Sequence, residues 1–148
     1  MYKRQPYGLP KAYNDPKKET PYAGVYRVKN GKTELLTKEV GGPNGIAFSP
    51  DEKYLYVSNW DIRDIKNTKN VYRFPVNADG SLGKGEVFFN MNETKEEEAL
   101  DGIKVDIQGN LYVSAPGGVW IISPEAKLLG KIKGPKGRPA KYGLGRRW

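Results

Sequence analysis

Two stretches decide the fold: Asn44-Gly-Ile-Ala-Phe-Ser-Pro-Asp-Glu-Lys-Tyr-Leu-Tyr-Val-Ser58 and Asp101-Gly-Ile-Lys-Val-Asp-Ile-Gln-Gly-Asn-Leu-Tyr-Val-Ser114. Each reads as a short apolar strand, a polar turn and a second strand ending in Leu-Tyr-Val-Ser. Each opens on an oxygen-bearing side chain followed by glycine. Sequence that repeats a small antiparallel unit calls for an architecture in which such units stack.

Working outward, Val71 to Phe74 and Glu86 to Phe89 alternate like two more strands after the first copy, with a turn at Asn77-Ala-Asp-Gly80 between them. After the second copy, Gly118 to Ile122 and Leu128 to Ile132 do the same. Upstream, Gly24 to Val28 and Thr33 to Leu36 flank Asn30-Gly31, a hairpin dipeptide that accepts positive φ at both central positions. The pairs Val25-Tyr26, Val71-Tyr72 and Val119-Trp120 recur at nearly constant spacing. Four short antiparallel strands every roughly 40 to 50 residues is the pattern of a β-propeller blade. The predicted fold is all-β: the outer half of one blade, two full four-stranded blades and the stub of a fourth. Residues 6 to 22, with four prolines, read as an irregular loop. Residues 90 to 100, carrying Glu93, Glu96, Glu97 and Glu98, read as a solvated loop or a single helical turn. A metal site is the sharper reading of that acidic run and a wet charged surface the ordinary one.

The composition excludes whole classes of chemistry. Cysteine and histidine are both absent, which removes disulfides, thiolate nucleophiles, Ser-His-Asp triads and zinc held by either residue. Chemistry must rest on carboxylates, amides, hydroxyls, lysines or a hard cation bound through oxygen. The net charge of +8 is concentrated at the ends, in Lys3, Arg4, Lys141, Arg146 and Arg147. The patterned body intersperses its charges and lacks the basic stripe that phosphate binding needs, so no nucleic-acid partner is expected. No apolar run approaches the roughly 20 residues that span a bilayer, and no membrane partner is expected either. Oligomeric state and location are not encoded in any motif.

The two ends differ from the body. Residues 1–5, Met-Tyr-Lys-Arg-Gln, resemble the translation of a sequencing adapter and are expected to be a scar. Residues 141–148, Lys-Tyr-Gly-Leu-Gly-Arg-Arg-Trp, have no strand or helix period. A coding string for them with one adenine dropped reads Asn-Met-Ala-Trp-Gly-Glu-Asp-Gly, so a frameshifted tail is expected. Native propeller sequence is then expected over residues 6–140, from the middle of a longer protein.

In a propeller, the loop entering each innermost strand lies at the mouth of the central channel. Asn44 and Asp101 hold that place in successive blades. An amide oxygen and a carboxylate converging there suit Ca²⁺ or a similar divalent ion. Asn-Gly and Asp-Gly are also ordinary turn dipeptides, and the residues by themselves leave both readings open.

Four stretches in this order carry a family resemblance: Pro6-Tyr-Gly-Leu-Pro-Lys11, Gly24-Val-Tyr-Arg27, Gly42 to Ser58, and Asp101 to Trp120. Together they resemble the gluconolactonase, or SMP-30/LRE-like, family, over nearly all of residues 6 to 140. The resemblance implies a six-bladed propeller, of which this chain would supply about two and a half blades. It implies a divalent metal in the channel, Ca²⁺ first, with Zn²⁺, Mn²⁺ and Mg²⁺ as alternatives, and hydrolysis of small sugar lactones. It makes Asn44 and Asp101 metal ligands and Asp101 also the catalytic carboxylate. The family's glutamate ligand comes from a first blade that this chain lacks, so the chain by itself is expected to be inactive. Tyr7 and Trp60 are candidate substrate contacts, although an aromatic in a propeller more often packs between blades. The alternatives are a non-catalytic propeller that binds a sugar or protein, or a related ester or phosphotriester hydrolase.

Overall fold

The computed structural model describes residues 2–4, 9–61, 63, 68–92 and 99–133. Tyr7, the acidic run 93–98 and the tail 134–148, with the expected fourth-blade stub, lie outside the described residues. The strands are β1 (Tyr2–Arg4), β2 (Gly24–Lys29), β3 (Lys32–Thr37), β4 (Pro43–Phe48), β5 (Tyr54–Trp60), β6 (Lys69–Pro75), β7 (Glu86–Asn90), β8 (Ile103–Val105), β9 (Leu111–Ala115), β10 (Gly118–Ile122) and β11 (Leu128–Lys133). They form a three-stranded sheet, β1-β2-β3, and two four-stranded meanders, β4-β5-β6-β7 and β8-β9-β10-β11. Every pairing is antiparallel. The architecture is a partial β-propeller.

Both expected blades are present, with strand ends within about two residues of the alternation except at β4. There Pro43 pairs with Asn59 across a register shift, which lengthens the strand to include Asn44 and Gly45. The hairpin between β2 and β3 turns on Asn30 and Gly31 with φ of 51° and 73°, as a tight primed turn requires. No strand is expected in residues 1 to 5, which read as a scar and are left out of the fold. The structure nevertheless pairs Tyr2–Arg4 with Gly24–Tyr26, satisfying the edge of β2 that β3 leaves open. The proline-rich loop contains a 3-10 turn at Ala12–Asn14. Among the described residues, no helix is long and apolar enough to cross a membrane.

The middle sheet is buried on both faces. On β5, Leu55 and Val57 point toward the first sheet and cluster with Val25, Val40 and Phe74, all fully buried. Tyr56, between them, points to the other side and joins Val71, Phe88, Leu111, Val113 and Trp120 against the third sheet. This is why β5 reads as apolar at consecutive positions instead of apolar in and polar out. Burying each such Leu or Val contributes about 1.5–3 kcal/mol, so the two inter-sheet layers hold the sheets together. The first strands of the two meanders, β4 and β8, lie against each other, and that contact positions the site.

Candidate functional site

Asn44 enters β4 and Asp101 lies two residues before β8. Both are half-buried, and the two segments touch. The Asn44 side-chain Nδ2 donates to the carbonyl of Leu100 at 3.0 Å. Gly45 is pressed so closely to the second segment that a Cβ would lie 2.5 Å from the Asp101 carbonyl oxygen and 2.6 Å from the Ile103 nitrogen. Gly45 therefore serves close approach between sheets, not a turn, whereas a Cβ at Gly102 would meet only the Ser114 Oγ of its own sheet at 3.9 Å; neither glycine has positive φ.

Ser58, fully buried at the far end of the same repeat, ties the two segments together. Its Oγ accepts from the Gly45 N–H at 2.6 Å and donates to the Asp101 carbonyl at 2.8 Å. The Asp101 backbone is held from its own sheet as well, through Asp101 N–H to the Ser114 carbonyl and Ser114 N–H to the Gly102 carbonyl, both 2.9 Å. Asn59 adds a further strut, its Oδ1 accepting from the Gly42 N–H at 2.9 Å just before Asn44.

A second group joins the proline-rich loop to this end of the sheets. Arg63 donates to the Gly41 carbonyl at 2.8 Å and to both oxygens of Asp61, and its guanidinium stacks 4.0 Å from the centre of the Tyr13 ring. The hydrogen bond from Arg63 holds the Asp61 carboxyl below the usual carboxylate range, against the opposing effect of burial. Trp60 is half-buried and packs on the layer between the second and third sheets, with its backbone N–H donating to the Gly42 carbonyl at 2.9 Å.

Of the sequence-predicted residues, the segments of Asn44 and Asp101 are thus brought together, Trp60 ends β5 two residues after Ser58, and Tyr7 lies outside the described residues. Among the described residues, no three Asp or Glu side chains cluster as a metal site. The donor chemistry of the pair still fits a hard cation: one amide oxygen and one carboxylate on abutting, hydrogen-bonded segments. Sequence reasoning missed Ser58, Asp61, Arg63 and Tyr13 as contributors. For Ser58 the signal was present, since serine closes both copies of the repeat.

An all-β partial propeller in which the segments carrying Asn44 and Asp101 abut between two sheets is the class that fold and site define. The family model described as SMP-30/gluconolactonase/LRE-like region matches residues 7–146, and the chain belongs to that family. The match continues past Ala140, where the strand pattern ends. A gluconolactonase from Zymomonas mobilis subsp. mobilis is 36% identical over 139 residues, which cover 90% of this chain and 38% of that protein. Among solved structures, a gluconolactonase from Xanthomonas campestris is similar with a TM-score of 0.67 at 29% identity, covering 82% of this chain and 38% of the other. A calcium-binding protein, regucalcin, from Agrobacterium tumefaciens has a TM-score of 0.59 at 26% identity, over 73% and 35%. The chain spans well under half the length of each of these relatives.

Proposed function

We propose that this chain is part of a metal-dependent hydrolase of sugar lactones, in which Asn44 and Asp101 supply two ligands to a divalent cation, Ca²⁺ first. What supports the reading is the direct contact of the Asn44 and Asp101 segments across two sheets. The gluconolactonase and calcium-binding relatives supply the substrate class and the ion.

The chain's own residues have separable tasks. With its Nδ2 bonded to the Leu100 carbonyl, Asn44 would offer its amide oxygen as a neutral ligand. Asp101 brings the negative charge and can accept a proton from an attacking water. The cation, when bound, supplies Lewis acidity for the lactone carbonyl and the water, which suits a chain without histidine or cysteine. Trp60, and Tyr7 on the proline-rich loop, would contact the sugar. Two donors fill only part of a coordination sphere of about six to eight oxygens, so the chain alone is expected to turn over no lactone.

The test is a chimera in which residues 6–140 replace the matching segment of the Zymomonas mobilis gluconolactonase. It should hydrolyse aldonolactone with added Ca²⁺, Zn²⁺ or Mn²⁺, and Asn44→Ala or Asp101→Ala should each lower kcat/KM by at least about a hundredfold. A folded chimera that binds lactone or metal without turnover would instead support the non-catalytic propeller.

A further inference from the structure

We propose that Ser58 is the positioning residue of the metal centre: a buried hydroxyl that sets how the Asn44 and Asp101 segments meet. The inference rests on the metal-ligand reading of those two residues and adds a residue that contributes no ligand atom. One hydroxyl bridges two sheets at the positions that matter, accepting from the amide directly after Asn44 and donating to the carbonyl of Asp101 itself. Ser58 is fully buried, so no solvent competes for either bond.

The geometry makes the hydroxyl hard to replace. A serine Oγ both donates and accepts, and here both capacities are used across the interface. Gly45 leaves no side chain between the segments, so their separation is set by backbone contact, by the Ser58 bridge and by the bond from Asn44 to Leu100. Neighbouring residues on β5 explain why the hydroxyl is held in place: Val57 on one side and Tyr56 and Trp60 on the other anchor the strand in both inter-sheet layers. The recurrence of serine at Ser114, whose backbone bonds brace Asp101 and Gly102, puts the same residue type in the same slot of the next blade.

The experiment is a Ca²⁺ titration of the isotopically labelled full chain, read by NMR at the Gly45 and Gly102 amides. The wild type should show saturable shifts at both amides that Asp101→Ala removes. Ser58→Ala should weaken Ca²⁺ binding by at least about tenfold and speed exchange of the Gly45 amide. Ser58→Thr, which keeps the hydroxyl, should stay within about threefold of wild type. If Ser58→Ala does not fold, Ser58→Cys takes its place, because a thiol is a weak donor and acceptor and should weaken binding by an intermediate factor. Ca²⁺ binding that needs Asp101 but is unchanged in Ser58→Ala, or in Ser58→Cys, would overturn the positioning role and leave the metal centre standing. Absence of saturable shifts both in the wild-type chain and in the gluconolactonase chimera, which supplies the remaining ligands, would overturn both.

Discussion

Gly45 has no room for a methyl group. Gly45→Ala would drive a Cβ into the backbone of Asp101 and Ile103, and the two sheets must part to admit it. We expect a loss of about 2–3 kcal/mol in urea unfolding. Gly31→Ala is the contrast, since nothing lies within 4 Å of the added carbon and only its φ of 73° is unfavourable, for about 1 kcal/mol. Equal losses would mean that the Gly45 contact is not what joins the sheets. Asp106 gives a pH-dependent case at the same scale. Burial pushes its carboxyl up, but bonds from the Asn110 side chain and N–H, the Tyr112 hydroxyl and the Gln108 N–H outweigh that and hold it below its usual value. A lowered folded-state pKa contributes stability that is full above the unfolded value of about 3.9 and is lost as pH falls through the folded one. Asp106→Ala should therefore cost about 2–3 kcal/mol at pH 7, with the gap to wild type closing below about pH 4. A gap that stays constant to pH 2 would contradict the assignment.

At the scale of elements, the middle sheet is the only one with both neighbours among the described residues. Leu55, Val57, Val71 and Phe74 are fully buried there, whereas β3 and β11 are mostly exposed. Amide exchange should be slowest in β5 and β6, with β3 and β11 exchanging at least about a hundredfold faster. Uniform protection across the three sheets would show that they do not unfold in that order. Phe74→Ala, which empties the layer between the first two sheets, should cost about 3–5 kcal/mol.

For the whole molecule, the first and third sheets each have one neighbouring sheet among the described residues. Val28 is 44% exposed on the first sheet and Ile132 is 55% exposed on the third. Apolar faces of this kind associate. Light scattering should show concentration-dependent assembly of the chain, and Val28→Lys with Ile132→Lys should reduce it. A strictly monomeric wild type at about 100 µM that binds no hydrophobic dye would mean the faces are covered.

Much of this was legible from residues alone. Alternation and turn chemistry located ten of the strands, because each strand's face pattern and each Asn-Gly or Ser-Pro-Asp turn is a local property. The repeat placed Asn44 and Asp101 in equivalent slots. It could not reveal β1, whose existence depends on the open edge of β2, nor the Arg63 contact that draws Tyr13 to the sheets. Sequence by itself determined that the chain is built of repeated antiparallel units opening on oxygen-bearing side chains. Only the tertiary structure decided that Gly45 meets Asp101 and that Ser58 joins them, because close packing between sheets brings together residues 43 positions apart that no periodicity relates.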